Sequence, residues 1–273
     1  MSKEYYADKT RLSASMCKAL LRSPAYAFWQ MHHPDPPTPQ MEFGKAFHLY
    51  MEMEVMDNEM FLIDEDSKTK ATKAFKKLRE EAEDTGQIAL LRAEFTQIEN
   101  MCKAIENHKI GKYLYDNFTH CEHKVEWDLT LIDGEIVKCK SLIDSILFKE
   151  NKAVIVDWKT CSNAHPGALP TQMYTYGYHI QAAFYIDAIR STKNTPVDFY
   201  FVFVEKEAPF GVSVVKCSSD ENDWFLKIGR QQYLKAAQLW YDCHKNKKWP
   251  GYGYGPIKAT LPGWAINKHR IVK

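Results

Sequence analysis

Apolar residues recur at three- and four-residue steps through the first third of the chain and at two-residue steps beyond about residue 120. The pattern predicts helices first and a sheet afterwards. Ser13 is placed to cap a helix carrying Met16, Leu20 and Leu21, and Pro24 to open a second short helix carrying Phe28. His33–Pro39 is a proline-rich loop. Phe43–Met53 reads as a helix with Phe47 and Tyr50 on one side, and Lys68–Asp84 as a charged helix. After Gly86, Ile88, Leu91, Phe95, Ile98, Cys102 and Ile105 mark an amphipathic helix.

Val125, Trp127, Leu129 and Leu131 then alternate with polar residues as a strand, and Asp133-Gly134 signals a turn. Ile136–Phe148 and Ala153–Asp157 follow as strands, the latter a fully apolar run suited to the middle of a sheet. Tyr174–Arg190 reads as a helix, Phe199–Val204 and Gly211–Cys217 as strands, and Glu221–His244 as a closing helix. No internal repeat or linker divides the chain. The expectation is one α/β domain over residues 1–273: a mainly helical part to about 118, a core of sheet and helices over about 119–245, and an irregular basic tail from 246.

Composition narrows the classes. With 45% hydrophobic and 13% aromatic residues among 273, the chain has material for a core, and 26% charged residues is ordinary for a globular protein. No apolar run approaches the roughly 18–20 residues of a membrane span. The N-terminus has no apolar leader, and the seven cysteines form no close pair, so a cytoplasmic protein without disulfide framework or CxxC zinc site is expected. The net charge is +1, but the charge is segregated. Met51–Asp66 holds seven acids and no Lys or Arg, Lys68–Arg79 is basic, and Lys227–Lys273 holds ten basic residues against Asp242 alone. Such patches allow local positive surfaces, and the C-terminal one suits phosphate contacts.

The chemistry lies in the second and third strands. If Glu150-Asn151 forms a two-residue loop, Lys149 faces Lys152 and Asp144 faces Asp157. Opposed carboxylates repel at that spacing unless a cation lies between them, and hard oxygen ligands suit Mg²⁺ or Mn²⁺. Lys159, two residues past Asp157, shares its face. Two acids and an ammonium are equipment for attacking a phosphodiester. Gln181 and Tyr185, four apart, share one helix face. Tyr174, Tyr176 and Tyr178 are suited either to base stacking or to packing. Glu126 is expected on a solvated strand face, and Glu205 has no evident chemical role.

The order Asp144…Asp157-Trp158-Lys159 resembles the PD-(D/E)xK nuclease core. Phe43-Gly44-Lys45-Ala46-Phe47-His48 resembles the histidine helix of the RecB-like branch, and Gln181-Ala182-Ala183-Phe184-Tyr185 its Q-x-x-x-Y motif. The likeness, from about Leu12 to Tyr252, is greatest to phage and prophage exonuclease VIII (RecE-type) nuclease domains, through LLRSPAYAFW, FGKAFH, DWKT, YGYHIQAAFY and FVFVEKEAPFGV. The resemblance implies a restriction-endonuclease-like mixed sheet flanked by helices, with an N-terminal helical elaboration. It implies His48, Asp144, Asp157 and the main-chain carbonyl of Trp158 as metal ligands, Lys159 as catalytic lysine, and Gln181 and Tyr185 contacting DNA or supporting the site. Leu142 departs from the pattern, since relatives usually carry Arg or another polar residue there. Cys217 and Cys243 are isolated, which argues against an iron–sulfur cluster. The implied activity is Mg²⁺-dependent 5′-to-3′ digestion of linear duplex DNA from its ends, leaving 3′ overhangs for recombination. The implied partners are a single-strand annealing protein and further copies of this chain, in a bacterial, phage or prophage setting. Alternatives are a structure-specific or single-strand endonuclease of the same fold, or an inactive DNA-binding module.

Overall fold

The computed structural model describes residues 3–52, 60–217, 223–253 and 255–268. After a short α1 (Lys3–Ala7), the Ser13 hydroxyl accepts the Met16 N–H at 3.3 Å and caps α2 (Ala14–Arg22). Ser23 does the same for α3 (Pro24–His32), where Pro24 occupies the first turn, whose N–H groups have no helical partner. The helix predicted from Phe43 is α4 (Pro39–Glu52), its predicted end at Met53 lying outside the described residues. Thr72 caps α5 (Lys73–Thr85), which stops at Gly86 in the left-handed region (φ 76°).

The next segment corrects the sequence reading. Ile88–Leu91 is a strand, β2, lying parallel to β1 (Phe61–Asp64), and helix α6 begins only at Arg92 and runs to Asn107. Ile88 and Leu91 sit at a helical spacing, but the Gly86 stop breaks the helix and the β1 edge takes up the backbone groups that follow. A further helix, α7 (Lys109–Asn117), was not apparent in the sequence; His108 Nδ1 caps it by accepting the Gly111 N–H at 3.0 Å.

The main sheet is β3 (His120–Thr130), β4 (Ile136–Lys149), β5 (Lys152–Cys161), β6 (Val197–Glu205) and β7 (Val212–Cys217), in that order. All pairs are antiparallel except β5–β6. Helices α8 (Leu169–Thr175) and α9 (Tyr178–Lys193) make the crossover that a parallel pair requires. The sequence suggested one helix here, but Gly177 (φ 66°) breaks it in two. Asp223 caps α10 (Trp224–Asn246), whose predicted start at Glu221 lies outside the described residues, and α11 (Gly263–Lys268) is a short turn of helix in the tail.

Alternation along the strands sends side chains into two cores, one on each face of the sheet. Ile155 of β5 joins Val125, Trp127, Phe199 and Phe201 against α2, α9 and α10. Val154, Val156 and Trp158 join Val202 and Val204 against α4 and α6. The result is the expected mixed five-stranded sheet flanked by helices.

One irregularity positions the site. Ile143 and Ile146 of β4, three residues apart, enter the same core, so the two-residue alternation slips between them. Asp144 sits at the slip, and Glu122 (φ 43°) lies across from it on β3, where the ladder steps from His123↔Ile143 to Cys121↔Ser145. On its other side β4 pairs with β5 from Lys149↔Lys152 to Ser145↔Val156, the register expected from a Glu150-Asn151 loop. The Asp144–Asp157 pair expected next is absent from this ladder, because β4 leaves β5 there. Beyond the parting, Leu12 occupies the vacated edge: its N–H donates to the Lys138 carbonyl at 2.9 Å and its carbonyl accepts the Lys140 N–H at 2.8 Å.

Candidate active site

The parting of β4 and β5 opens into a cavity of about 950 Å³ lined by α4, α5, β2 and the ends of α2 and α9. Asp144, Trp158, Lys159, Gln181, Tyr185 and His48 all line it. Asp157 lies behind them, its side chain only 1% exposed, against 19% for Lys159, 22% for Asp144 and 28% for His48. The sequence-predicted residues are therefore brought together from four elements, α4, β4, β5 and α9.

Their contacts are specific. Lys159 is ion-paired through Nζ with Asp157 Oδ1. Gln181 Nε2 donates to Asp157 Oδ2 at 2.6 Å. The Gln181 side chain also bonds to the Tyr185 phenol, whose pKa burial raises well above its ordinary value. The Gln181–Tyr185 pair thus braces the buried carboxylate. The Trp158 N–H donates to Asp144 Oδ2 at 3.2 Å, and the Trp158 indole donates to Ser145 Oγ at 2.9 Å. His48 Nδ1 stands 3.5 Å from Asp144 Oδ2, and the imidazole also bonds to the Trp158 main chain.

Burial governs the electrostatics. It raises the Asp157 pKa to about 6; the Lys159 ammonium pulls the other way and the Asp144 carboxylate adds to the rise. It raises Asp144 as well, against the pull of Lys159. For Lys159 burial disfavours the charge, but Asp157 and Asp144 outweigh it and hold the ammonium above its ordinary value. Burial and then Lys159 depress His48 to about 4. At neutral pH His48 is therefore a neutral imidazole with a lone pair to offer, and Lys159 is charged.

One imidazole and two carboxylates are a donor set suited to a hard divalent cation. Among the described residues no three acid, histidine or cysteine side chains converge as they stand on one ion-sized point, since Asp157 is turned to Lys159 and Gln181. Holding a cation between the acids requires Asp157 to share an oxygen now engaged by the lysine.

Sequence reasoning missed several neighbours. Glu52, four residues after His48 on the same face of α4, lines the cavity and is pushed up to about 7 by burial and the Glu122 and Asp144 carboxylates. Lys18 of α2 reaches the cavity too. Tyr178 stacks on Phe201 at 5.4 Å and presents its ring to Lys159 Nζ at 5.2 Å, so it is packed, while Tyr174 and Tyr176 are exposed. The His48–Glu52 spacing was a usable signal; Lys18 had none. Glu126 pairs with Arg11 and Lys124 outside the cavity. Glu205, without a role in the sequence, accepts the Ala164 N–H at 2.8 Å and pins the loop leaving β5.

A mixed sheet whose parting antiparallel pair presents an acid, an acid and a lysine defines a PDDEXK-like fold. This chain belongs to the family described as "PDDEXK-like domain of unknown function (DUF3799)", whose model matches residues 13–256. Among solved structures it is similar to a "Putative exonuclease" from Eubacterium rectale, with a TM-score of 0.63 and 13% identity, covering 99% of this chain and 98% of that one. A likeness at that identity concerns the fold. A second structure, SSO0001, has a TM-score of 0.39 at 11% identity over 90% of this chain and 80% of its own, too loose to assign a fold. No curated protein matches the chain. Among the described residues no helix is long and apolar enough to cross a membrane.

Proposed function

We propose that this protein is a metal-dependent deoxyribonuclease that degrades linear duplex DNA from its ends, of the RecE type. The observation that carries the proposal is the set of Asp144, Lys159 and His48 gathered in one cavity where β4 and β5 part, with Asp157 directly behind Lys159. His48, Asp144, Asp157 and the Trp158 carbonyl are the residues to hold the cation, Mg²⁺ being the natural candidate and Mn²⁺ the alternative. When bound there, it supplies a Lewis acid for the phosphoryl oxygen and acidifies a water. Lys159 lends positive charge to the phosphate as negative charge builds on it. Gln181, braced by Tyr185, fixes the Asp157 carboxylate, and His48 binds without having to release a proton. The motif resemblance supports the finer reading: 5′-to-3′ polarity, 3′ overhangs passed to an annealing protein, a homo-oligomer, and a bacterial or phage cytoplasm.

A gel assay with Mg²⁺ tests this, comparing a linear duplex with a covalently closed circle of the same sequence. Loss of the linear DNA alone is expected, abolished by EDTA and by Lys159→Ala. Cutting of the circle would instead establish an endonuclease. DNA bound but never cut would leave a binding module and overturn the enzyme.

A further inference from the structure

Among the described residues Lys18 is a cation with no carboxylate partner. Its side chain leaves α2, enters the cavity and bonds through Nζ to the Tyr176 carbonyl at 3.1 Å. It faces the Tyr178 ring at 5.9 Å, the same ring that Lys159 faces at 5.2 Å. It pairs with no carboxylate among the described residues, and the acid that acts on it, Asp157, is already paired with Lys159. Lys70 and Arg79 also line the cavity, but Glu94 and Glu42 neutralise them at 2.8 and 2.6 Å, and Lys45, on the same wall, is exposed to solvent. The stem of Lys18 is held in place as well. A Cβ on Gly177 would come within 2.8 Å of Lys18 Cδ, so the residue that breaks α8 from α9 also leaves the passage this side chain uses.

Burial and the nearby Lys159 pull Lys18 down to about 8. A recessed ammonium beside a second ammonium is unfavourable until an anion joins them. Resting on the nuclease reading, we propose that Lys18 is a second substrate-binding cation, which holds a backbone phosphate of the bound strand next to the one Lys159 serves. Arg22, one turn further along the same face of α2, continues the positive row toward the surface, its guanidinium 3.9 Å from the Tyr26 ring.

Binding measured in EDTA separates this role from catalysis. Fluorescence anisotropy of a labelled linear duplex would be followed against salt for wild type, Lys18→Met, Lys18→Gln and Lys18→Arg. Lys103→Met, on the exposed side of α6, serves as control. Lys18→Met should weaken binding about tenfold, the worth of one charged hydrogen bond. It should also flatten the slope of log Kd against log salt by about 0.9 for one lost phosphate contact. Lys18→Arg should restore the slope and Lys103→Met should leave it unchanged. Lys18→Gln gives the same comparison should Met disturb α2. If wild type binds DNA and both neutral variants bind with its affinity and slope, the Lys18 assignment falls and the nuclease reading stands. If wild type neither binds nor cuts DNA, the nuclease reading falls, and this assignment with it.

Discussion

The two edges of β5 have opposite fates. Toward β6 its ladder runs unbroken from Ala153↔Val197 to Cys161↔Glu205. Toward β4 it stops at Ser145↔Val156, and Asp157, Trp158 and Lys159 lie beyond the stop. One edge therefore holds the strand in place while the other releases it, so Lys159 is fixed from behind and open in front, with Asp157 paired to it just beneath. A pair continued to the end on both edges would seal the carboxylates between strands. A pair released on both would leave them without fixed geometry. Catalytic groups need rigid support and an accessible face together, and this asymmetry provides both.

Asp157→Asn strikes the open edge at its centre and should give the largest effect. It removes a donor oxygen and the charge that faces Lys159, so cleavage of linear duplex should drop by about 10³-fold or more. Retention of more than a tenth of the wild-type rate would show that Asp157 is not at the chemistry. The helical layer behind the sheet is tested by Gly229→Ala. At Gly229 α10 crosses α9 so closely that an added methyl would overlap the His179 carbonyl oxygen. Backbone must move, and about 3 kcal/mol of stability should be lost, read from the urea midpoint. A midpoint within error of wild type would mean that these helices are not clamped as described.

The smallest effect is a pH dependence that separates the two edges further. In the folded protein the Asp157 carboxyl is raised from its usual value to about 6, so folding favours its protonated form. Its contribution to stability is fully present below the unfolded value of about 4 and is lost as pH rises through about 6. Without metal, the urea midpoint of wild type should therefore fall relative to that of Asp157→Asn as pH rises from 4 to 7; His48, depressed to about 4, contributes a rise over the same range in both proteins, which the comparison removes. Added Mg²⁺ should oppose the decline, since it binds the ionised form. Identical profiles for the two proteins would show that Asp157 ionises normally.

Much of the closed side was legible in the sequence. The apolar runs Ala153–Val156 and Phe199–Val204 led directly to its strands, and on the open side the supposed two-residue Glu150-Asn151 loop gave the observed β4–β5 register as far as it runs. The open side was only half legible. Asp144 was recognised, but its departure from the ladder coincides with a positive φ at Glu122 across β3, which Glu seldom adopts and no local signal announces. Ile88–Leu91 misled because four residues can satisfy a helical and a strand spacing alike, and only the β1 edge decides between them. The likeness of Gln181 and Tyr185 to a known motif placed them near the site, but their brace on Asp157 depends on how α9 lies against β5, which spacing does not convey. Lys18 was illegible because its place in the cavity wall, away from any carboxylate it pairs with among the described residues, is a property of three-dimensional surroundings.

The Leu12 bridge has a consequence for the order in which the molecule assembles. Leu12 docks on the edge that β4 frees, between the Lys138 carbonyl and the Lys140 N–H, yet it leaves the ribosome long before that edge is made. The helices around it must wait, incompletely anchored, for the β3–β4 hairpin to form. Such a distant closure is slow because its loop entropy is lost before the contact repays it. The hairpin, built from neighbours in the chain, is thus the template, and the opening segment is the latecomer that completes it.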